Sequence, residues 1–464
     1  MKGIAVLMIV TLLSAFLDWR RGVHFALFLV VVEGVIRKWI LPGQEMVILF
    51  LKDAVLLVAY IKYFSEYGFS RFERLPKPVI LLIGISFVIG ALDSLNPALS
   101  SPIVGFYGMK AYFFYVPLLW MGMDLFDNPK RFEGLLKFQL TLAIPVFVLA
   151  YIQFFSSADS ILNTYAASMG EKMDVVTVGE SGNIRVTGTF PYISGMGCFV
   201  NWITLLAIWS YLFSATKRLR TLGLIVLVMA IVAGLMTGSR SVVFFQLAFL
   251  AASLWVSRKS KQAAAGATLR LVFGGAVIGI ILYKTVANQA VDAFMERLQG
   301  LQDTDVSFWG PLVGIWDMAK LAGIGGYGTG ATHQARQGLE QLLNLTSLGQ
   351  TPPAVYEAEY PRIMVELGPF GFAPWFILRV FLMVFPFIIS RRVVAPALKS
   401  FCWLLGISMM LQYTIPNVFN HVYSLYFWTL AGVPLAMLQW QSRSLFPPPP
   451  VGHRIPAKPE RAKV

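Results

Sequence analysis

Apolar residues run along this chain in long blocks, most of them nearly unbroken, separated by short polar stretches. The blocks fall at 3–17, 22–41, 46–62, 78–95, 103–125, 135–157, 191–214, 221–237, 241–256, 271–287, 362–389, 400–416 and 422–440. Most are close to the roughly 17–25 residues that a helix needs to cross a bilayer. Lipid offers no partner to unpaired backbone groups, so such blocks are expected to be helical. The pattern predicts an all-α polytopic membrane protein with about 12–13 transmembrane helices, the lower count applying if the short first block does not span.

One interval breaks the pattern. Between Asn288 and Arg362 lie the acids Asp292, Glu296, Asp303, Asp305, Asp317, Glu340, Glu357 and Glu359, together with Arg297, Arg336, Arg362 and His333. The interval also holds the run Gly323-Ile-Gly-Gly-Tyr-Gly-Thr-Gly330 and the pair Pro352-Pro353, so it cannot be a spanning helix. It reads as a folded lid of turns and small helices. The chain accordingly divides into N-terminal transmembrane helices (1–287, with an outer loop at 158–191), an extracytoplasmic loop subdomain (288–361), C-terminal transmembrane helices (362–440) and a proline-rich disordered tail (441–464).

Composition agrees with the pattern: 57% of residues are hydrophobic and 13% charged, above the roughly 45–50% apolar share of soluble domains. A net charge of +14 would suit nucleic acid, but its distribution argues against that partner. Lysine and arginine gather in alternate loops: Lys62, Arg71, Arg74 and Lys77; Lys130 and Arg131; Lys217, Arg218 and Arg220; Arg258, Lys259, Lys261 and Arg270; Arg391, Arg392 and Lys399. By the positive-inside rule these loops and the C-terminus are cytoplasmic and both long loops extracytoplasmic. The first block lacks a small-residue cleavage site and is followed at once by Asp18-Trp-Arg-Arg21, so it is expected to be retained. Cys198 and Cys402 lie inside apolar blocks as packing residues.

A few charges fall within the blocks. Glu33 and Arg37 are spaced to pair along one helix face, and Lys52 and Asp53 are adjacent, so both read as self-neutralising pairs. Lys110 is placed to snorkel outward toward an anionic headgroup. Arg379 has no partner in its own segment. At the outer face, Arg185 in Gly182-Asn-Ile-Arg-Val-Thr-Gly-Thr-Phe190 and Arg240 in Met236-Thr-Gly-Ser-Arg240 are either headgroup anchors or a phosphate-binding pair, since a guanidinium offers a planar fork suited to phosphate oxygens. The glycine run lacks a Lys-Ser/Thr ending and a preceding strand, and so reads as turn chemistry rather than a nucleotide site.

Three stretches, in order, resemble the bacterial O-antigen ligase and O-antigen polymerase superfamily of lipid-linked glycan transferases. They are Arg185-Val-Thr-Gly-Thr-Phe190 before a span, Thr237-Gly-Ser-Arg240 before an apolar helix, and the long outer loop with Pro311 to Trp316, Gly323 to Gly330 and Glu366-Leu-Gly-Pro-Phe-Gly371. The resemblance covers about Ser181 to Leu382. It implies a GT-C-like helical fold in the bacterial cytoplasmic membrane and glycosyl transfer at its outer face. The implied donor is an undecaprenyl-pyrophosphate-linked oligosaccharide and the implied acceptor a second saccharide. The resemblance implies no cofactor, metal or nucleotide sugar, and as partners membrane lipids and other polysaccharide-assembly proteins. Arg185 and Arg240, with Arg362 and Lys110, would meet the pyrophosphate. Where the ligases carry a histidine shortly before the Glu-x-Gly, this chain has Glu357, which points toward polymerase chemistry. Glu357, Glu359 or His333 would receive the acceptor hydroxyl's proton. The competing readings are a ligase that moves glycan to lipid A-core or protein, a secondary transporter or flippase, and a noncatalytic component of an assembly complex.

Overall fold

The computed structural model describes residues 11–43, 45–166, 175–178, 183–260, 310–334, 336–345, 349–353 and 358–443. The expected span 271–287, the start of the polar interval (288–309), Glu357 and the tail beyond 443 lie outside the described residues.

The described chain is helical apart from a two-residue antiparallel pairing of Thr177–Val178 with Asn183–Ile184, Thr177 opposite Ile184. In order the helices are α1 (11–17), α2 (Trp19–Val35), α3 (Glu45–Tyr67), α4 (Lys77–Asp93), α5 (Pro102–Phe113), α6 (Leu118–Leu125), α7 (Pro129–Phe154), α8 (Ile193–Phe213), α9 (Lys217–Met236), α10 (Arg240–Ser260), α11 (Gly310–Ala322), α12 (Arg336–Leu342), α13 (Glu359–Ser390), α14 (Pro396–Leu411), α15 (His421–Ala431) and α16 (Val433–Ser442). Six helical segments among the described residues are long and apolar enough to cross a membrane: α7, α8, α9, α10, α13 and the α15–α16 pair. This is the multi-pass helical architecture expected of the apolar pattern. α8 is enclosed on all sides, with every residue from Gly195 to Phe213 buried, as befits a helix that is apolar all round.

Several expected spans are shorter or broken. The block at 103–125 divides into α5 and α6, because Pro117 has no N–H to offer the Phe113 carbonyl, which Val116 takes instead at 3.1 Å. α2 passes into a π-helical turn, Ile36–Ile40, which carries Arg37 and Lys38.

The sharpest break is in α13. Gly368 adopts φ 60° and ψ −179° inside it, and Pro369 follows. Glu359 and Arg379 form an ion pair although about 30 Å of straight helix would separate them, and the Tyr360 and Phe376 rings lie 5.2 Å apart. α13 is therefore a hairpin of two helical arms, 359–367 and 369–390, reversed at Gly368. Only a residue without Cβ fits there, since a Cβ would come within 2.3 Å of the Ile324 carbonyl oxygen. The break frees carbonyls that Pro369 and the reversed chain cannot satisfy. The glycine run supplies the missing donors: Tyr327 N–H bonds the Val365 carbonyl and Gly328 N–H the Glu366 carbonyl, both at 2.9 Å.

Candidate functional site

The strap 325–333 is fixed between the α4–α5 turn and the α13 hairpin. Asn96 Nδ2 donates to the carbonyls of Gly325 and Gly326 at 3.2 and 3.1 Å, and Thr329 Oγ1 donates to the Gly105 carbonyl at 2.9 Å. Gly108 lets the strap lie against α5, for a Cβ there would come within 2.3 Å of the Gly330 nitrogen. α12 clips to the same turn, with Arg336 Nε on Glu340 at 2.8 Å and Ser100 on the same carboxylate. Burial raises the Glu340 pKa, but these two hydrogen bonds and the Arg336 charge outweigh it and hold the carboxyl below its ordinary value.

This placement delivers Thr332 and His333 into a cluster of charged and aromatic side chains. Glu366, fully buried, accepts from Thr332 N–H at 2.9 Å, Thr332 Oγ1 at 2.7 Å and the Tyr112 hydroxyl at 2.8 Å. Arg362, one turn earlier on the same arm, donates to the Thr332 carbonyl at 2.6 Å and lies 3.7 Å over the Phe419 ring. His333 packs edge-on against Tyr107 at 4.8 Å and beside Phe419 at 6.0 Å. Burial, with repulsion from Arg362 and Lys110, pushes the His333 imidazole down to about 3, so it is neutral near pH 7.

A second layer of charge lies beside it. Lys110 pairs with Asp53 at 2.6 Å, and Asp53 also accepts from the Tyr115 hydroxyl at 2.9 Å. Glu33 is met by Lys52 at 2.9 Å, Arg37 at 3.3 Å and His421 Nε2 at 3.5 Å. The neighbouring Lys38 donates to Thr187 Oγ1 at 3.0 Å and the Gly188 carbonyl at 2.7 Å, which ties the π-helical turn to the loop entering α8. Leaving the histidines aside, five cations (Arg37, Lys38, Lys52, Lys110, Arg362) and four carboxylates (Glu33, Asp53, Asp93, Glu366) lie in and around the cluster, a formal excess of one positive charge. Such a polar cluster in an apolar bundle suits an anionic ligand better than a cation.

No protein-family model matches the chain, and no curated protein matches it in sequence. The site therefore has to be read from its own residues.

Of the residues singled out by sequence, Lys110, His333 and Arg362 come together here. Lys110 does not snorkel: it turns inward to Asp53. Lys52 does not neutralise its neighbour, because adjacent side chains on a helix diverge and it pairs instead with Glu33 on α2. The expected Glu33–Arg37 pair is present. Arg379, without a partner in its own arm, finds Glu359 across the hairpin. Glu359 is 1% exposed and also accepts from the backbone N–H groups of Asn417 and Val418, which makes it a clasp rather than an accessible base.

Arg185 and Arg240 meet at a different feature, the α9–α10 turn. Arg185 Nε donates to the Thr237 carbonyl at 3.0 Å, Val186 N–H bonds the Met236 carbonyl at 3.2 Å, and Arg240 opens α10 three residues beyond Thr237. From Arg185 the contacts lead two residues on to Thr187, then through Lys38 to the turn bearing Arg37.

Sequence reading missed the α14–α15 connection. This short, uncharged loop supplies Asn417 and Val418 to Glu359 and Phe419 to Arg362, and the first residue of α15, His421, meets Glu33. Sequence reading named Glu366 only as the start of the Glu366-Leu-Gly-Pro-Phe-Gly371 stretch and gave it no role in the site, although its spacing of four from Arg362 was an available signal.

Proposed function

We propose that the protein is a glycosyltransferase of polysaccharide assembly with a GT-C-like fold, polymerising undecaprenyl-pyrophosphate-linked saccharide units at the outer face of the bacterial cytoplasmic membrane. The observation that carries this reading is the meeting of Arg362 and His333, from the polar interval, with Lys110 of α5 in one positively biased cluster. That junction of lid and helices is where a lipid-borne pyrophosphate would bring its charge.

In this reaction the acceptor hydroxyl oxygen bonds the anomeric carbon as the bond from that carbon to the pyrophosphate oxygen breaks, in one inverting displacement. The electron pair leaves on the pyrophosphate, whose growing charge is stabilised by Arg362 and Lys110, with Arg185 and Arg240 at the α9–α10 turn extending the cationic surface. The hydroxyl proton passes to a base. Glu359 is engaged by Arg379 and two amides, which favours Glu357 for that role. His333 serves as a neutral hydrogen-bonding group, and a bound phosphate would raise its basicity by cancelling the repulsion of Arg362 and Lys110.

The test is incubation of the purified protein with a lipid-linked repeat unit, alone and with candidate acceptors. Chain growth without an added acceptor supports polymerisation, and transfer only to an added acceptor makes the protein a ligase. Full activity in Arg362→Ala, Lys110→Ala, Arg185→Ala and Arg240→Ala variants would refute the site.

A second reading, secondary transport of an anionic solute, is favoured by one observation: a helix broken at Gly368 beside ion pairs buried in the bundle. Substrate-driven counterflow in proteoliposomes, with no glycan product, would favour it over glycosyl transfer.

A further inference from the structure

At the opposite end of the bundle, away from the proposed reaction site, α1, α2 and α7 enclose a groove of about 670 Å³. Its composition is graded. Arg20, Arg21 and Arg131 sit at one end, at the helix starts; His24 follows one turn along α2; Phe25, Phe28 and Phe138 line the deeper part. α2 and α7 both run away from the charged end, so the gradient from cationic to apolar follows the helix axes. A phospholipid has the same gradient from headgroup to acyl chain.

Two of the three charges at the mouth, Arg20 and Arg21, have only long ion-pair contacts, and Arg20 also lies 4.5 Å over the Trp19 ring. Arg21 lies 3.7 Å from Asp18, and Arg20 lies 3.9 Å from Asp127 with a long 3.4 Å bond to Tyr67. Arg20 Nε is buried with no hydrogen-bond partner. Arg131 bonds Asp127 at 2.9 Å. Three guanidinium groups thus face two carboxylates. His24 Nδ1 donates to the Arg20 carbonyl at 2.8 Å, which makes Nε2 of the neutral ring an acceptor suited to a headgroup hydroxyl. A second observation concerns the groove floor: Gly134 of α7 is exposed, and a Cβ there would meet nothing within 4 Å. The groove is therefore open at that level rather than closed by packing.

We infer that this groove binds one anionic phospholipid, the phosphodiester held by Arg20 and Arg131 and an acyl chain laid along Phe25, Phe28 and Phe138 past Gly134. Charge complementarity selects the headgroup, and the apolar lining selects an amphiphile over free phosphate. The proposal is independent of the reaction assigned to the other end of the bundle.

The test uses the full chain in detergent, titrated with phosphatidylglycerol, with phosphatidylcholine, or with glycerol phosphate as the headgroup alone, binding being read by native mass spectrometry. One copy of phosphatidylglycerol should bind saturably. Phosphatidylcholine and glycerol phosphate should bind at least roughly tenfold more weakly, and Arg20→Gln should weaken phosphatidylglycerol by a similar factor. Gly134→Leu fills open space without a clash and favours helix, so it should fold normally yet exclude the lipid. Should Arg20→Gln fail to fold, Gly134→Leu and Arg131→Gln carry the test. Equal binding of the two lipids, equally tight glycerol phosphate, or unaltered binding in Gly134→Leu each overturns the proposal.

Discussion

Replacing Arg379 by methionine tests the hairpin on which the candidate site rests. Arg379 is 2% exposed and Glu359 1% exposed, so neither charge is screened by water. Removing one partner of such a pair leaves a buried charge uncompensated and costs about 3–5 kcal/mol. Arg379 also donates to the Ile415 carbonyl at 2.5 Å, so the substitution unfastens the α14–α15 connection as well. The double variant Glu359→Gln/Arg379→Met removes both charges but keeps an acceptor for Asn417 and Val418 N–H. It should recover much of the loss and retain a deficit of about 1–2 kcal/mol for the exchanged hydrogen bonds. Reversible unfolding in mixed detergent micelles, run as a double-mutant cycle, gives the coupling energy. A cost for Arg379→Met below about 0.5 kcal/mol, or strictly additive single effects, would show that the pair does not hold the hairpin.

Three further expectations follow from the same geometry. Gly368→Ala forces a side chain into the left-handed region and against the Ile324 carbonyl, and should cost about 2–4 kcal/mol in the same unfolding assay. Arg362→Lys keeps the charge but loses the planar stack on Phe419 and the geometry of the Thr332 bond, so the proposed glycan transfer should fall by roughly tenfold to a hundredfold with normal folding. His333 has its folded pKa depressed to about 3 from an ordinary 6.5, so the unfolded chain binds more protons between these values. Its contribution is complete above pH 6.5 and is lost as pH falls toward 3. The unfolding midpoint of His333→Gln should drop less between pH 7 and pH 4 than that of the parent, and parallel profiles would refute the assignment.

Much of the architecture was legible because bilayer physics acts on local sequence. Apolar block length marks α7 to α10, and the charge-free core of α8 announces its enclosure. The meeting of Arg71 and Arg74 with Asp124, at the end of α6 just before the Lys130–Arg131 loop, brings together two of the loops that charge counting assigned to one side. The internal breaks were harder to read. Pro117 and Gly368-Pro369 both lie inside blocks whose hydropathy alone suggests continuous helix, and hydropathy does not register a missing N–H or a positive φ.

The site divides along the same line. Sequence by itself determined which residues carry charge into the apolar region and that Lys110, His333 and Arg362 were worth attention. Only the tertiary structure decided the partners: Lys52 with Glu33 rather than Asp53, Arg379 with Glu359, and Arg362 over Phe419. The physical reason is that desolvation forces each buried charge to find an opposite charge or dipole. Which one it finds depends on the crossing of α2, α3, α5, the α13 hairpin and the α14–α15 connection, and no spacing along the chain encodes those crossings.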